Sequence, residues 1–434
     1  MNTVIKLVAI AKNEALYIPA WVHHHFRIGI DYIEVHINNT TDNSVEVCER
    51  ISNNYRQFTY INSDSLFKES IDLRQSFQLN AYNQSLEGVK QSDSSVTHLL
   101  TLDIDEYLMP RDFKQNIKEL VQYSHNVDIH SFLWYSDDYN RNTKSLKHPL
   151  SNVFKIYRMD HVKSMARVNS SLDFCLHHNF IYSDDYATVN QFSACGDIQL
   201  LDGQNTIMRQ SVLTAEFLDT LDESRPEKWF ILHQIYKSEV EYISSLFRGD
   251  ECNGDFSLLK SNRWGMKPFP DYKSNPIEFK IDHEQIENYR NSYLAFAREC
   301  DLKSEVKKAR HLVINRYQEL GKILQSQPEL MDSHSRCFEG TKYESFIALL
   351  NRNQVKKFDS SKFFKFRTDI LNIYQASNPE GMEGFVCALN KFYGYNYNFL
   401  SDFELSEFGY WHTQFFKEKY EKKGFCGNYW MIEN

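Results

Sequence analysis

Three acids leave one apolar run. In LLTLDIDEYLMP, residues 99–110, Asp103, Asp105 and Glu106 follow a stretch with the composition of a strand. Two carboxylates at i and i+2 beyond a strand can both approach one hard divalent cation, which prefers oxygen ligands. A Mg²⁺ or Mn²⁺ held there can bridge the two phosphates of a nucleotide diphosphate and stabilise its charge as it leaves. D-x-D triplets are common in solvated loops, so this one gains meaning from its position directly after an apolar strand.

The elements around the triplet form a repeating pattern. Val4 to Ala11 is apolar, β-branched and of strand length, and a helical stretch follows from about Glu14 to Arg27. Tyr32 to Asn38 reads as a second strand, and in the loop after it Asp42 or Ser44 can cap the next helix. A third strand near Gln57 to Asn62, a helix through Leu73 to Gly88 and the strand Thr97 to Asp103 continue the alternation. That order predicts an α/β fold with a parallel or mostly parallel sheet, with functional residues beyond the carboxyl ends of the strands. From about 127 to 205 the runs shorten, which predicts mixed or antiparallel strands. After the Pro-rich loop at 262–276 the chain turns to charged amphipathic stretches, Ile286 to Leu302 and Ser304 to Leu324. The expected domains are therefore 1–275 and a mainly helical 276–434.

Length and composition bound the class. At 434 residues there is chain for two or three domains and a sizeable core. The 58 acids against 49 bases give a charge of −9, which argues against a dedicated nucleic-acid binder. The eight cysteines contain no C-x-x-C pair and read as reduced thiols of a cytoplasmic protein. The N-terminus lacks the apolar core of a signal peptide, and no run has the length of a membrane span. His23, His24 and His25 cannot all face one ion, because consecutive helix residues point about 100 degrees apart. A helix-surface position is expected for them. KKFDSSKFFKFR at 356–367 interleaves bases with Phe, a composition that suits peripheral contact with an anionic membrane face or a lipid-linked acceptor, or else an amphipathic helix with solvated lysines.

Three segments in order carry a family resemblance: AIAKNEALYIPAWVHHHFRIGIDYIEVHINNTTDNS, LLTLDIDEYLMP and HQIYKSEVEYISSLFRGD. Over roughly residues 1–255 the chain resembles nucleotide-sugar glycosyltransferases of GT-A fold, close to family 2 and the family 92-like group. Lys12, Asn13, Glu14, Trp21, His25, Gly29, Ile30 and Asp31 match the family's opening pattern, while Asn38 stands where the family's loop usually has Asp. The resemblance implies a GT-A fold, a nucleotide-sugar donor, most readily a UDP-sugar, and a glycan or glycolipid acceptor of the kind found in bacterial surface polysaccharide or lipopolysaccharide synthesis, with inversion at the anomeric carbon. It places Ala11, Asn13, Glu14, Asn39 and Asp42 around base and ribose. Asp103 falls near ribose and metal, Asp105 becomes a metal ligand with Glu106 in support, and His233 is the late metal ligand. Lys237 and Arg248 offset the diphosphate charge, and Lys163 and Arg167, with His177 or His178, line the cleft. Gln234 and Ser245 depart from the usual Tyr and Lys of the third segment. The catalytic base is not singled out; Asp173, Asp197 and Glu216 are candidates by location, with Asp173 preferred because it precedes the histidine pair. Two other classes compete. A nucleotidyltransferase is disfavoured because Ala11 to Tyr17 contains no Gly. A non-catalytic glycan-binding or scaffold protein would keep the fold without a working metal site.

Overall fold

The computed structural model describes residues 3–344, apart from 74–75, 92–94, 125, 139–145, 147, 149, 184–190, 194–199, 202–217, 220, 248–258, 261–262, 264, 268–274, 327–333 and 342. In chain order it opens with β1 (Ile5–Ala11), α1 (Ile18–Arg27), β2 (Tyr32–Ile37), α2 (Ser44–Asn54), β3 (Phe58–Asn62), α3 (Asp64–Asp72), α4 (Phe77–Gln91) and β4 (His98–Thr101). Next come β5 (Glu106–Pro110), α5 (Ile117–Tyr123), β6 (Ile129–Asp137), β7 (Val153–Arg167), β8 (Leu172–Cys175) and β9 (Phe180–Tyr182). After these lie β10 (Gln191–Ser193), β11 (Leu200–Leu201), β12 (Trp229–His233), α6 (Glu239–Leu246), β13 (Ile277–Lys280), α7 (His283–Glu299), α8 (Lys303–Ser326) and α9 (Ser335–Phe338).

The described strands form a mixed α/β sheet in the order β11-β10-β6-β7-β4-β1-β2-β3. Strands β3, β2, β1 and β4 run parallel, whereas β7 is antiparallel to β4 and to β6. At the other end of the site β12 pairs parallel with β6 and antiparallel with β5. Alternation along β1 explains why both faces are covered. Ile5, Leu7, Ala9 and Ala11 enter one cluster with Trp21, Val47 and Phe296, while Val8 enters another with Tyr82 and Leu86 of α4 and with the β8–β9 hairpin. The helix expected at 73–88 begins only at Phe77 and is preceded by a separate α3.

The chain divides into compact units Met1–Ile323 and Leu324–Asn434, so residues 276–323 lie in one unit with the sheet. The reason is that β13 adds to β7, and α7 lies on α1, with Ser292 bonded to His23 at 2.9 Å. That cover also buries the triple histidine, with His23 at 7% and His24 and His25 at 0% exposure, so it is not on the surface. In the second unit, the described part includes α9, with Cys337 and Phe338 buried. Among the described residues the free cysteines are Cys48, Cys175, Cys300 and Cys337, all buried, and no helix is long and apolar enough to cross a membrane.

Candidate functional site

The acid turn is built by reciprocal hydrogen bonds. The amide of Glu106 donates to the Asp103 carbonyl at 3.0 Å, and the amide of Asp103 donates to Oε2 of Glu106, also at 3.0 Å. This closure ends β4 and starts β5, leaving Asp103 and Asp105 beyond the carboxyl end of β4. Because the chain steps from β1 to β2 on one side and reaches β4 on the other, that end is the topological switch point of the sheet, the place where open α/β sheets bind ligands. The β5–β12 register pairs Glu106 with His233, and this brings Nε2 of His233 to 3.6 Å from Oδ1 of Asp105. The amide of Gln234 donates to the Asp105 carbonyl at 2.8 Å.

Cations close the turn from two sides. Lys163 of β7, almost wholly buried, lies 3.3 Å from Asp103 and 3.4 Å from Glu106. Gln78 of α4 donates to Asp103 at 3.1 Å, and Tyr82 donates to the same oxygen at 3.4 Å. On the other side the carboxylate of Asp137 accepts the backbone amides of Tyr236 and Lys237, at 3.0 and 2.8 Å. It thereby holds Lys237 at a φ of 51°, with its ammonium 4.4 Å from the Tyr17 ring centre. Burial works against ionisation of Asp105, yet His233, Lys237 and Arg263 hold it well below the usual carboxylate range. Burial wins at Glu106, whose carboxyl is pushed well up, with Asp103 and Asp105 reinforcing it and Lys163 and the Asp103 amide opposing it. Lys163 is raised because its two acids outweigh its own burial.

The residues expected around a nucleoside have a different task. Oδ1 of Asn13 accepts the amides of Thr41 at 2.7 Å and Asp42 at 3.1 Å, and Asn13 itself adopts a φ of 57°. Asp42 in turn accepts the amides of Ala15 and Ser44. Asn13 and Asp42 thus fasten the loop after β1 to the loop after β2. Glu14 is buried behind them, its amide donating to Ser44, and Ala11 ends β1 opposite Ile37. Asn39 is exposed at the rim with a φ of 42°.

Two sequence candidates are carried elsewhere. Arg167 pairs with His98, at the opposite end of β4 from Asp103, because β7 runs antiparallel; Lys163, four residues earlier, is therefore the base that reaches the acids. Asp173 is exposed on β8, whose Leu172 carbonyl accepts from Lys90 of α4. Lys90 lies about 18 Å along that helix from Gln78, the residue that touches Asp103. His177 does come near, with Nε2 at 3.1 Å from Ser76 just before α4. Arg248, Asp197, Glu216 and the basic segment 356–367 lie outside the described residues.

Among the described residues no three His, Cys, Asp or Glu side chains are placed to hold one ion. The oxygens of Asp103 face Lys163, Gln78 and Tyr82. The spacing of Asp105 and His233 does fit, since ligands at about 2.1 Å from one ion can stand 3.6 Å apart. No local pattern of residues points to Trp134, Asp137 or His161. Trp134 meets His233 edge-on at 4.4 Å and stacks on His161 at 5.2 Å. Only strand register assembles them.

No family model matches the chain, and no curated protein does. The solved structure of HddC from Yersinia pseudotuberculosis is similar over 37% of this chain and 68% of its own, at 11% identity; with a TM-score of 0.21 that likeness carries no argument.

Proposed function

We propose that this chain is a metal-dependent glycosyltransferase of GT-A fold that moves a sugar from a nucleotide-diphosphate sugar to an acceptor hydroxyl. The observation that carries the reading is the acid turn at the switch point of the sheet, flanked by Lys163, His233 and Lys237. A paired carboxylate and imidazole beside fixed cations suits a departing diphosphate better than it suits a passive binding surface. Asp105 and His233 would hold the Mn²⁺ or Mg²⁺, which when bound supplies charge for the leaving phosphates. Lys237 adds a cation at the loop after β12, and the Asn13–Asp42 junction shapes the rim that receives the nucleoside. A UDP-sugar donor, inversion, a glycan or glycolipid acceptor in bacterial surface polysaccharide synthesis and a cytoplasmic or peripheral membrane location rest on the family resemblance.

The test is a thermal-shift series of UDP, GDP, CDP and their sugars with Mn²⁺ or with EDTA. One nucleotide should raise the melting temperature with Mn²⁺ and lose that effect in EDTA. Asp105→Ala and His233→Ala should abolish the Mn²⁺-dependent shift while melting cooperatively without ligand. Unchanged donor affinity in both variants removes the metal-site reading and favours a non-catalytic glycan-binding protein.

A further inference from the structure

An acceptor hydroxyl must lose its proton as the new glycosidic bond forms, and Asp173 stands exposed on β8, whose Leu172 carbonyl is bonded by Lys90 at the far end of α4 from Gln78. Three imidazoles gather instead around Trp134: His161 stacked on it at 5.2 Å and 16°, His178 tilted at 5.1 Å, and His233 at 4.4 Å. They come from different places in the chain. Trp134 pairs with Ile231, so it shares a sheet face with His233; His161 shares its face with Lys163, two residues on along β7. A register shift between Leu133 and Tyr135 is what lets Trp134 meet His161.

The three imidazoles differ in what holds their ring nitrogens. His233 faces Asp105, and His178 donates its Nδ1 hydrogen to the Val162 carbonyl at 2.9 Å. His161 has its Nδ1 2.8 Å from a carboxylate oxygen of Asp160, and its side chain keeps 31% of its surface exposed. A carboxylate on Nδ1 fixes the hydrogen there and leaves the Nε2 lone pair as the proton acceptor. It also stabilises the imidazolium once formed, the role an acid plays behind a catalytic histidine.

We propose that His161, oriented by Asp160, is the catalytic base of the transfer, an assignment that rests on the glycosyltransferase reading above. Nε2 of His161 takes the proton of an acceptor alcohol as its oxygen bonds to the anomeric carbon. The bond from that carbon to the donor phosphate breaks, and its electron pair leaves with the nucleoside diphosphate. The proton on His161 then passes to water. Asp160 is a positioning residue, and Trp134 sets the ring plane between the base and the His233–Asp105 pair.

The experiment uses the full chain and the nucleotide sugar that gives the wild type its Mn²⁺-dependent thermal shift. It follows release of nucleoside diphosphate, with water or a simple sugar alcohol as acceptor. His161→Gln, which keeps the ring's approximate bulk but cannot take a proton, should lower the release rate about 10²- to 10⁴-fold and keep the donor's thermal shift. Asp160→Asn should give a smaller loss, and His161→Gly should recover part of its rate with added imidazole, which a purely structural residue would not allow. Wild-type release by His161→Gln overturns the proposal, as does loss of its donor shift, which would make His161 a donor-binding residue. A wild type that shifts with no nucleotide overturns the underlying reading, and this assignment with it.

Discussion

Two histidine-rich regions of this protein are built on opposite terms. Under α1, His23, His24 and His148 are packed against Tyr289, and His25 lies against Trp21, with no carboxylate among the groups that shift them. Burial there drives the imidazoles to the neutral form: His23 to about 3, His24 to about 4 and His148 to about 4. Around Trp134, by contrast, His161 and His233 each stand beside an acid. The first group acts as aromatic packing that happens to carry nitrogen, and in the second His161 and His233 each face a carboxylate. Which side chain is reactive follows from the partner it meets, since residue type is the same in both.

The largest expected effect is on stability against pH. A histidine whose folded pKa is depressed contributes stability that is fully present above its unfolded value of 6.5. That stability is lost as pH falls from 6.5 toward the folded value, because the unfolded chain then binds the extra proton. Three such groups lose about 4 kcal/mol per pH unit together, comparable within two units to the whole stability of a domain. Circular dichroism should therefore show cooperative unfolding with a midpoint near pH 5; an unchanged melting temperature at pH 5 would break the comparison.

The acid turn should fail through charge instead. Lys163→Met leaves Asp103 and Glu106 without their buried cation and should cost about 3–5 kcal/mol in urea unfolding at pH 7. A loss under 1 kcal/mol would mean that water already screens those acids. The smallest effect sharpens the first. His24→Phe removes the 2.8 Å bond to the Leu108 carbonyl, at a cost of about 1–3 kcal/mol at pH 8. It should also flatten the acid slope by about 1.4 kcal/mol per pH unit between 6.5 and 4. An unaltered slope would show that His24 is not among the titrating groups.

Much of the frame was legible in the residues. The β-branched run of β1, the YIEVHI of β2 and the apolar approach to Asp103 all carry strand periodicity, because a sheet buried on both faces selects such residues locally. The acid turn was legible for the same reason, since its carboxylates follow at once from an apolar strand. The buried triple histidine was not. Its solvent position was taken away by α7, more than 250 residues later, and no local pattern reports a distant cover.

The α/β alternation, the acid turn beyond β4 and the absence of a C-x-x-C pair are each properties of neighbouring residues and can be read without a fold. Tertiary structure alone decided that Lys163 and not Arg167 reaches the acids, and that Asn13 and Asp42 fasten two loops together. It also decided that β13, α7 and most of α8 belong to the first unit, and that His161 and Trp134 stand beside His233. The physical reason is register: the direction of β7 and one irregularity in its pairing with β6 set which side chains share a face, and that depends on strands far apart in the chain.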